Sequence, residues 1–197
     1  RARRLAQLAA SEKAQSIIKS CRLITHPYLV VKGFPDERGL VTEDGELIIP
    51  MRDCETGRVL GAQRIVLVEN EWEKKMLFGM RAKGASYRIG NARAQEVWLV
   101  EGYATGLSVD AALKLLRISA AIMVCFSASN LVHVASRISG RRFVFADNDA
   151  SRAGESAAWE SGLPYAMSDK IGQDANDLHQ AAGVMAVAKK IMEARSR

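Results

Sequence analysis

The chain of 197 residues has little cysteine: Cys21, Cys54 and Cys125, an odd number, widely spaced and never as Cys-x-x-Cys. That argues against a disulfide framework and a zinc site, and fits reduced thiols in a cytoplasmic protein. Histidine is equally sparse, and His26, His133 and His179 stand at no ligand spacing, against a histidine metal site. No apolar run reaches the ~18 residues of a membrane span, and the basic start lacks an apolar signal core. Internal repeats and low-complexity tracts are absent too. With 48% hydrophobic and 25% charged residues, disordered, collagen-like and coiled-coil classes are excluded. A chain this long buries a core without a disulfide or metal staple. It begins with Arg1 rather than Met, as an excised domain does.

What is present is an uneven charge. Residues 1–95 hold 17 Lys and Arg against 11 Asp and Glu, whereas residues 96–197 hold 11 of each. The whole net charge of +6 therefore sits in the first half. From Lys74 to Gln95 six basic residues occur and no acid, with Trp72, Phe78 and Tyr87 in or beside the run. Such a stretch suits phosphate contact with aromatic rings for base stacking. A solvated surface over core aromatics is the plainer alternative.

The two halves also differ in rhythm. Residues 1–22 have helical spacing without Gly or Pro, and His26-Pro27 is expected to end that helix. Lys32-Gly33-Phe34-Pro35 reads as a turn. Glu46–Pro50 and Arg58–Ile65 read as strands of a hairpin whose loop carries Asp53 and Gly57. From Glu96 onward strands alternate with helices. The strands are Glu96–Val100, Ala121–Phe126, Arg142–Ala146 and Pro164–Met167. The helices lie at 104–117, near 131–139, near 152–161 and from Asn176 to Arg195, with a break at Gly183. That pattern predicts an α/β fold with a parallel sheet flanked by helices, preceded by a small basic α+β subdomain. The expected division is 1–94 and 95–197.

In such a sheet a site lies at the carboxyl ends of the strands. Glu101 directly follows the first of these strands, and Asp147 and Asp149 directly follow the third. The i, i+2 spacing lets both aspartates face one site if the backbone there is extended. Three carboxylates with no base among them repel one another, and a hard divalent cation removes that cost. The arrangement suits phosphoryl transfer.

Glu101-Gly102 after one strand and Asp147-Asn148-Asp149 after a later one resemble the Toprim domain of bacterial-type primases, topoisomerases and some nucleases. The resemblance covers about residues 95–190. It extends through Ala153-Gly154-Glu155, Ala157-Ala158 and Gln173-Asp174-Ala175-Asn176-Asp177-Leu178. The hairpin Glu46–Asp53 and Thr56–Arg64 resembles the one that precedes Toprim in primases, where it belongs to a basic subdomain facing the acids. His26-Pro27-Tyr28-Leu29 with Lys32-Gly33 is similar to plasmid- and phage-borne primases.

The resemblance implies a DNA primase core, a nucleotidyltransferase of the DNA-directed RNA polymerase type. Its partners would be a single-stranded DNA template, nucleoside triphosphates and a replicative helicase or other replication domains outside this chain, with no membrane. Mg²⁺ or Mn²⁺ would be held by Glu101, Asp147 and Asp149, which would be both ligands and catalytic groups. Arg52, Arg64 and Lys83 would face nucleic-acid phosphates. The chain departs from full-length primases in lacking a zinc-ribbon cysteine set and a helicase-binding region. A Toprim nuclease using the same acids, and a non-catalytic nucleic-acid-binding module, are the alternatives.

Other residues have structural readings. Asp174 and Asp177 suit a helix N-terminus. Asp177 could instead be an outlying acid of the site, and Arg152 could touch a triphosphate. Thr105 is either a helix cap or a bond to the Glu101 loop. Ser127 and Asn130 could line the site or cap a helix. Tyr103 and Trp98 read as core, and His133 as an ordinary helix residue.

Overall fold

A computed structural model describes residues 2–196. The chain divides into two compact units, Arg1–Tyr87 and Arg88–Arg197.

The first unit opens with helix α1 (Ala2–Ser20), followed by β1 (Arg22–Ile24), α2 (Pro27–Val31), β2 (Gly39–Val41), β3 (Leu47–Asp53), β4 (Val59–Val68) and β5 (Glu71–Met76). Strand β6 (Ala85–Gly90) begins in this unit. The helix predicted at 1–22 is present, but His26-Pro27 does not end it. Helix α1 stops at Ser20, and His26 instead caps α2, with Pro27 at its first position. Proline suits that position, because the N–H it lacks would have no partner there. The His26 ring is bonded on both sides. Nδ1 accepts from the Tyr28 backbone at 3.1 Å, and Nε2 donates to the Gly45 carbonyl at 2.9 Å.

The predicted hairpin is β3–β4, with Ile48 opposite Arg64 and Pro50 opposite Ala62. Strand β3 also pairs antiparallel with β2 and with the start of β6, and β4 pairs with β5. Strands β1, β2, β5 and β6 are additions to the sequence reading. Glu71-Trp72-Glu73-Lys74-Lys75-Met76 shows no apolar alternation, because neither of its faces is buried. Ala14 of α1, Ile48, Ala62 and Leu77 form the core beneath the helix. Ser11 fixes α1 to β4 by donating to the Val59 carbonyl at 2.6 Å.

The second unit runs β7 (Glu96–Val100), α3 (Tyr103–Leu115), β8 (Ala120–Val124), α4 (Ala128–Ala135), β9 (Arg141–Ala146), α5 (Ala153–Ser161), β10 (Tyr165–Met167), α6 (Ala175–Ala182) and α7 (Val184–Arg195). Strands β7–β10 pair in parallel in the order β8-β7-β9-β10. Strands β7 and β8 are buried along their whole length, which explains their apolar sequences, broken only by Glu96 at the start of β7. Helices α3, α6 and α7 pack on one another, and α4 packs on α5. The predicted break falls at Gly183, which adopts φ 82° between α6 and α7.

Trp98 is fully buried and stacks on Phe143 at 4.8 Å between ring centroids. Its indole N–H donates to Glu96 at 3.0 Å. Glu96 is itself buried and accepts from the Arg195 guanidinium at 3.1 and 3.2 Å, tying the last helix to the first strand of this sheet. No helix among the described residues is long and apolar enough to cross a membrane.

Candidate active site

The strand order locates a crevice. From β7 the chain passes through α3 to β8 on one side, and from β9 it passes through α5 to β10 on the other. The loops after β7 and β9 thus diverge from adjacent strands, which makes their carboxyl ends a topological switch point. The β7–β9 register pairs Leu99 with Val144. Carried forward two residues, it brings Glu101 level with Ala146, directly before Asp147.

Glu101 is half-buried between two influences. Its side chain accepts from the Ala128 backbone N–H at the start of α4, and its carbonyl accepts from Phe126 N at 2.9 Å. Burial holds its carboxyl above the usual carboxylate range, and the negative charge of Asp149 raises it further. Phe126, beside it, sits at φ 69°, a left-handed conformation that costs a bulky residue strain.

The Asp147–Asp149 segment is held extended by a bridge between Asn148 and Gln173. Extended backbone puts Asp147 and Asp149 on one side and Asn148 on the other. There the Asn148 amide donates to the Ser168 carbonyl at 2.9 Å. Asp147 Oδ1 is shielded from solvent. Asp149 accepts from the Ser151 hydroxyl and from the backbone N–H groups of Ala153 at 3.3 Å and Gly154 at 3.4 Å. These bonds, the serine's first, hold its carboxyl below the usual range. Asp149 therefore also closes the first turn of α5. Gly154 is required there, because a Cβ would collide with the Asp147 carbonyl oxygen.

A strap joins the two acidic loops. Gln173 bridges to Asn148, and the next residue, Asp174, accepts from the Thr105 hydroxyl at 2.9 Å. Asp174 and Asp177 form a reciprocal capping box at the start of α6. The capping reading of both residues is thus met, and the bond to Thr105 is an addition that no local pattern announces. Ser127 caps α4, and Asn130 donates to the Cys125 carbonyl at 2.7 Å, so both serve the helix start. Arg152 pairs with Glu155 at 2.7 Å, and Tyr103 is buried. Buried Ser108 and Asn176 and half-buried His179 form a network with 3.1 Å bonds that no local pattern announces, because its members lie on two helices.

Hard oxygen donors with mutual repulsion between Glu101 and Asp149 fit a divalent cation. The three acids share one sheet edge. Among the described residues, however, no three His, Cys, Asp or Glu side chains are gathered into a ready ligand sphere.

The basic residues of the first unit are distributed differently. Arg64 is engaged by Glu46, through Nε at 2.7 Å and through Nη2. Arg52 is exposed and donates to the Gly57 carbonyl at 3.2 Å. Lys83 is exposed in the turn before Gly84, which has φ 79°. Of the three aromatic rings, Trp72 packs on His26 and Tyr28 at centroid distances of 5.4 and 5.5 Å. Tyr87 is half-buried, whereas Phe78 is 99% exposed.

Comparison with known proteins agrees with this architecture. Residues 96–184 match the family model of the Toprim domain. A structure described as the DnaG catalytic core superposes with a TM-score of 0.51 at 20% identity, over 92% of this chain. The chain spans 59% of that structure's length. The stretch similar to the Toprim domain runs from the strand that leads into Glu101 to the start of α7.

Proposed function

We propose that the chain is a primase-type nucleotidyltransferase core that joins nucleoside triphosphates on a single-stranded DNA template. The observation that carries this reading is the placement of Glu101 and the extended Asp147–Asp149 segment at one switch-point edge of a sheet that matches the Toprim domain. Two neighbouring carboxyls pushed in opposite directions are suited to different roles. Asp149, kept ionised by Ser151 and the start of α5, would be an anionic ligand. Glu101, raised by burial, is the group fitted to accept a proton from the primer hydroxyl.

In that reaction the hydroxyl oxygen attacks the α-phosphorus of the incoming nucleotide. The bond to pyrophosphate breaks, and the hydroxyl proton passes to Glu101. Mg²⁺ or Mn²⁺ held by Glu101, Asp147 and Asp149 would neutralise the triphosphate and ease ionisation of the hydroxyl. The likeness to the DnaG catalytic core supports the choice of primase within the Toprim group. Arg52 and Lys83 would contact the template, whereas Arg64 is engaged by Glu46.

The test is primer synthesis on single-stranded DNA with labelled nucleotides and Mg²⁺ or Mn²⁺. Labelled oligonucleotides are expected, lost in Asp149→Asn. Template nicking without new product would instead assign a nuclease, with water as the attacking group. Metal-independent strand binding with no chemistry would leave a binding module.

A further inference from the structure

Strand β10 is the outer strand of the parallel sheet. Among the described residues it pairs with β9 alone, with Tyr165 level with Val144 and Met167 level with Ala146. The Val144 N–H donates to the Pro164 carbonyl at 3.1 Å, so the Pro164 carbonyl is turned toward β9. Backbone direction alternates along a strand. Ala166 therefore also faces β9, and the N–H and C=O groups of Tyr165 and Met167 point away from it.

Beyond that edge lies a cavity of about 300 Å³. The consecutive residues Tyr165 to Asp169 all line it. That is the mark of a strand edge, since a face would present only alternate residues. Across from the edge stand Lys190, Glu193 and Ala194 of α7. Lys190 is mostly covered and pairs with Asp169 Oδ1 at 2.7 Å and Glu193 Oε2 at 3.4 Å. The slot thus sets two carboxylates against one ammonium, and Asp169 and Glu193 are both exposed.

The two faces of β10 differ. The Tyr165 hydroxyl donates to Glu155 of α5 at 3.3 Å, which places Tyr165 and Met167 on the α5 face. The crossovers through α3 and α5 run in opposite directions, so right-handed connections put those helices on opposite faces. Helix α7 packs on α3 and on β10, and therefore covers the other face.

We propose that the β10 edge is a docking slot for an extended segment of a partner protein in which basic and apolar residues alternate. The segment adds a strand to β10, with main-chain bonds to Met167. Its basic residues face Asp169 and Glu193 on the α7 side, and its apolar residues lie along half-buried Tyr165 and Met167. A second copy of this chain suits the slot poorly, because it would bring the same surplus of negative charge against it. A nucleic-acid strand is disfavoured for the same reason. The proposal uses neither the acids after β7 and β9 nor the nucleic-acid reading above.

The probe is an acetylated, amidated hexapeptide of alternating lysine and valine. Its affinity for the full chain is read by fluorescence anisotropy, and its position by amide NMR spectra of the isotope-labelled chain. The Met167 amide is expected to shift and to gain protection from hydrogen exchange. Met167→Pro removes the outward N–H but not the pairing with β9, a place where an edge strand tolerates proline. It should weaken binding at least about tenfold. Asp169→Asn and Glu193→Gln should each weaken it about two- to fivefold, the usual worth of an exposed ion pair, and reduce its salt dependence. The same peptide with glutamate for lysine should bind at least about tenfold more weakly. Asp149→Asn should leave peptide affinity as it was, which separates the slot from the acids at the switch point. Circular dichroism checks each fold, and should Met167→Pro fail to fold, the two charge variants carry the test. No Met167 response at millimolar peptide, equal binding of the glutamate peptide, unchanged affinity in both charge variants, or loss of binding in Asp149→Asn would each overturn the proposal. So would dimerisation of the chain that Met167→Pro abolishes.

Discussion

Thr105 in the first turn of α3 donates its hydroxyl to Asp174 at the start of α6, 2.9 Å away and 69 residues along the chain. Thr105 follows Glu101 by one turn, and Asp174 follows Gln173, the partner of Asn148. This bond therefore holds the β7 loop to the strap that holds the β9 loop.

Thr105→Val keeps the shape and removes the donor. It should cost about 1 kcal/mol in urea unfolding, the net worth of one hydrogen bond with an acceptor left behind. Calorimetry should also show weaker divalent-ion binding, since Glu101 would no longer be held beside Asp149. Unchanged stability together with unchanged ion affinity would mean the strap has no positioning role.

Glu101 gives a pH-dependent prediction. Its carboxyl lies above the usual range in the folded protein, through burial first and Asp149 second. Below the unfolded-state pKa, about 4, the group is protonated in both states and has no effect on stability. As pH rises through the folded-state value, the folded state pays for an ion it disfavours. Glu101→Gln should therefore be more stable than the parent at pH 7, and the two should converge in acid. Denaturation at several pH values checks the sign. The same variant should abolish phosphodiester formation while leaving nucleotide affinity largely intact, as measured by single-turnover product formation beside nucleotide titration.

The two aspartates should separate on stability. Asp149 accepts from Ala153 and Gly154 at the helix start, so Asp149→Ala should cost about 1 kcal/mol as a lost cap. Conservative Asp147→Asn and Asp149→Asn should both lose activity and bind divalent ions more weakly. Full turnover in either would remove that residue from the ligand set.

Arg195 is a poor neutral control for DNA binding, although it lies in the half with no net charge. It pairs with buried Glu96, which also holds the Trp98 indole. Arg195→Ala should cost roughly 1–3 kcal/mol by stranding that carboxylate. Arg117, exposed at the end of α3, is the better control, and Arg117→Gln should leave oligonucleotide affinity unchanged.

Gly154→Ala tests the close approach of α5 to the Asp147 loop. The added methyl meets the Asp147 carbonyl, so the helix start or the acidic loop must shift. A loss of about 1–3 kcal/mol is expected from overpacking, and ion affinity should fall with it. A tolerated alanine with unaltered ion binding would show that the loop position is not set by this contact.

The alternation of β7 through α7 was legible because buried parallel strands are uniformly apolar and their helices keep a 3.6-residue period. The hairpin around Asp53 and the break at Gly183 were legible from turn chemistry. Glu101, Asp147 and Asp149 could be named because residues directly after parallel strands must share one sheet edge. Strands β5 and β6 were not legible, since an exposed strand such as Glu71–Met76 carries no buried face to leave an imprint. His26 was misread because the same dipeptide that stops one helix also starts another, and only the cap bond to Tyr28 distinguishes them. The Thr105–Asp174 bond, the hold of Glu46 on Arg64 and the exposure of Phe78 belong to tertiary structure alone. Each depends on which distant segment packs beside the residue, and that is set by the whole core rather than by its neighbours in the chain.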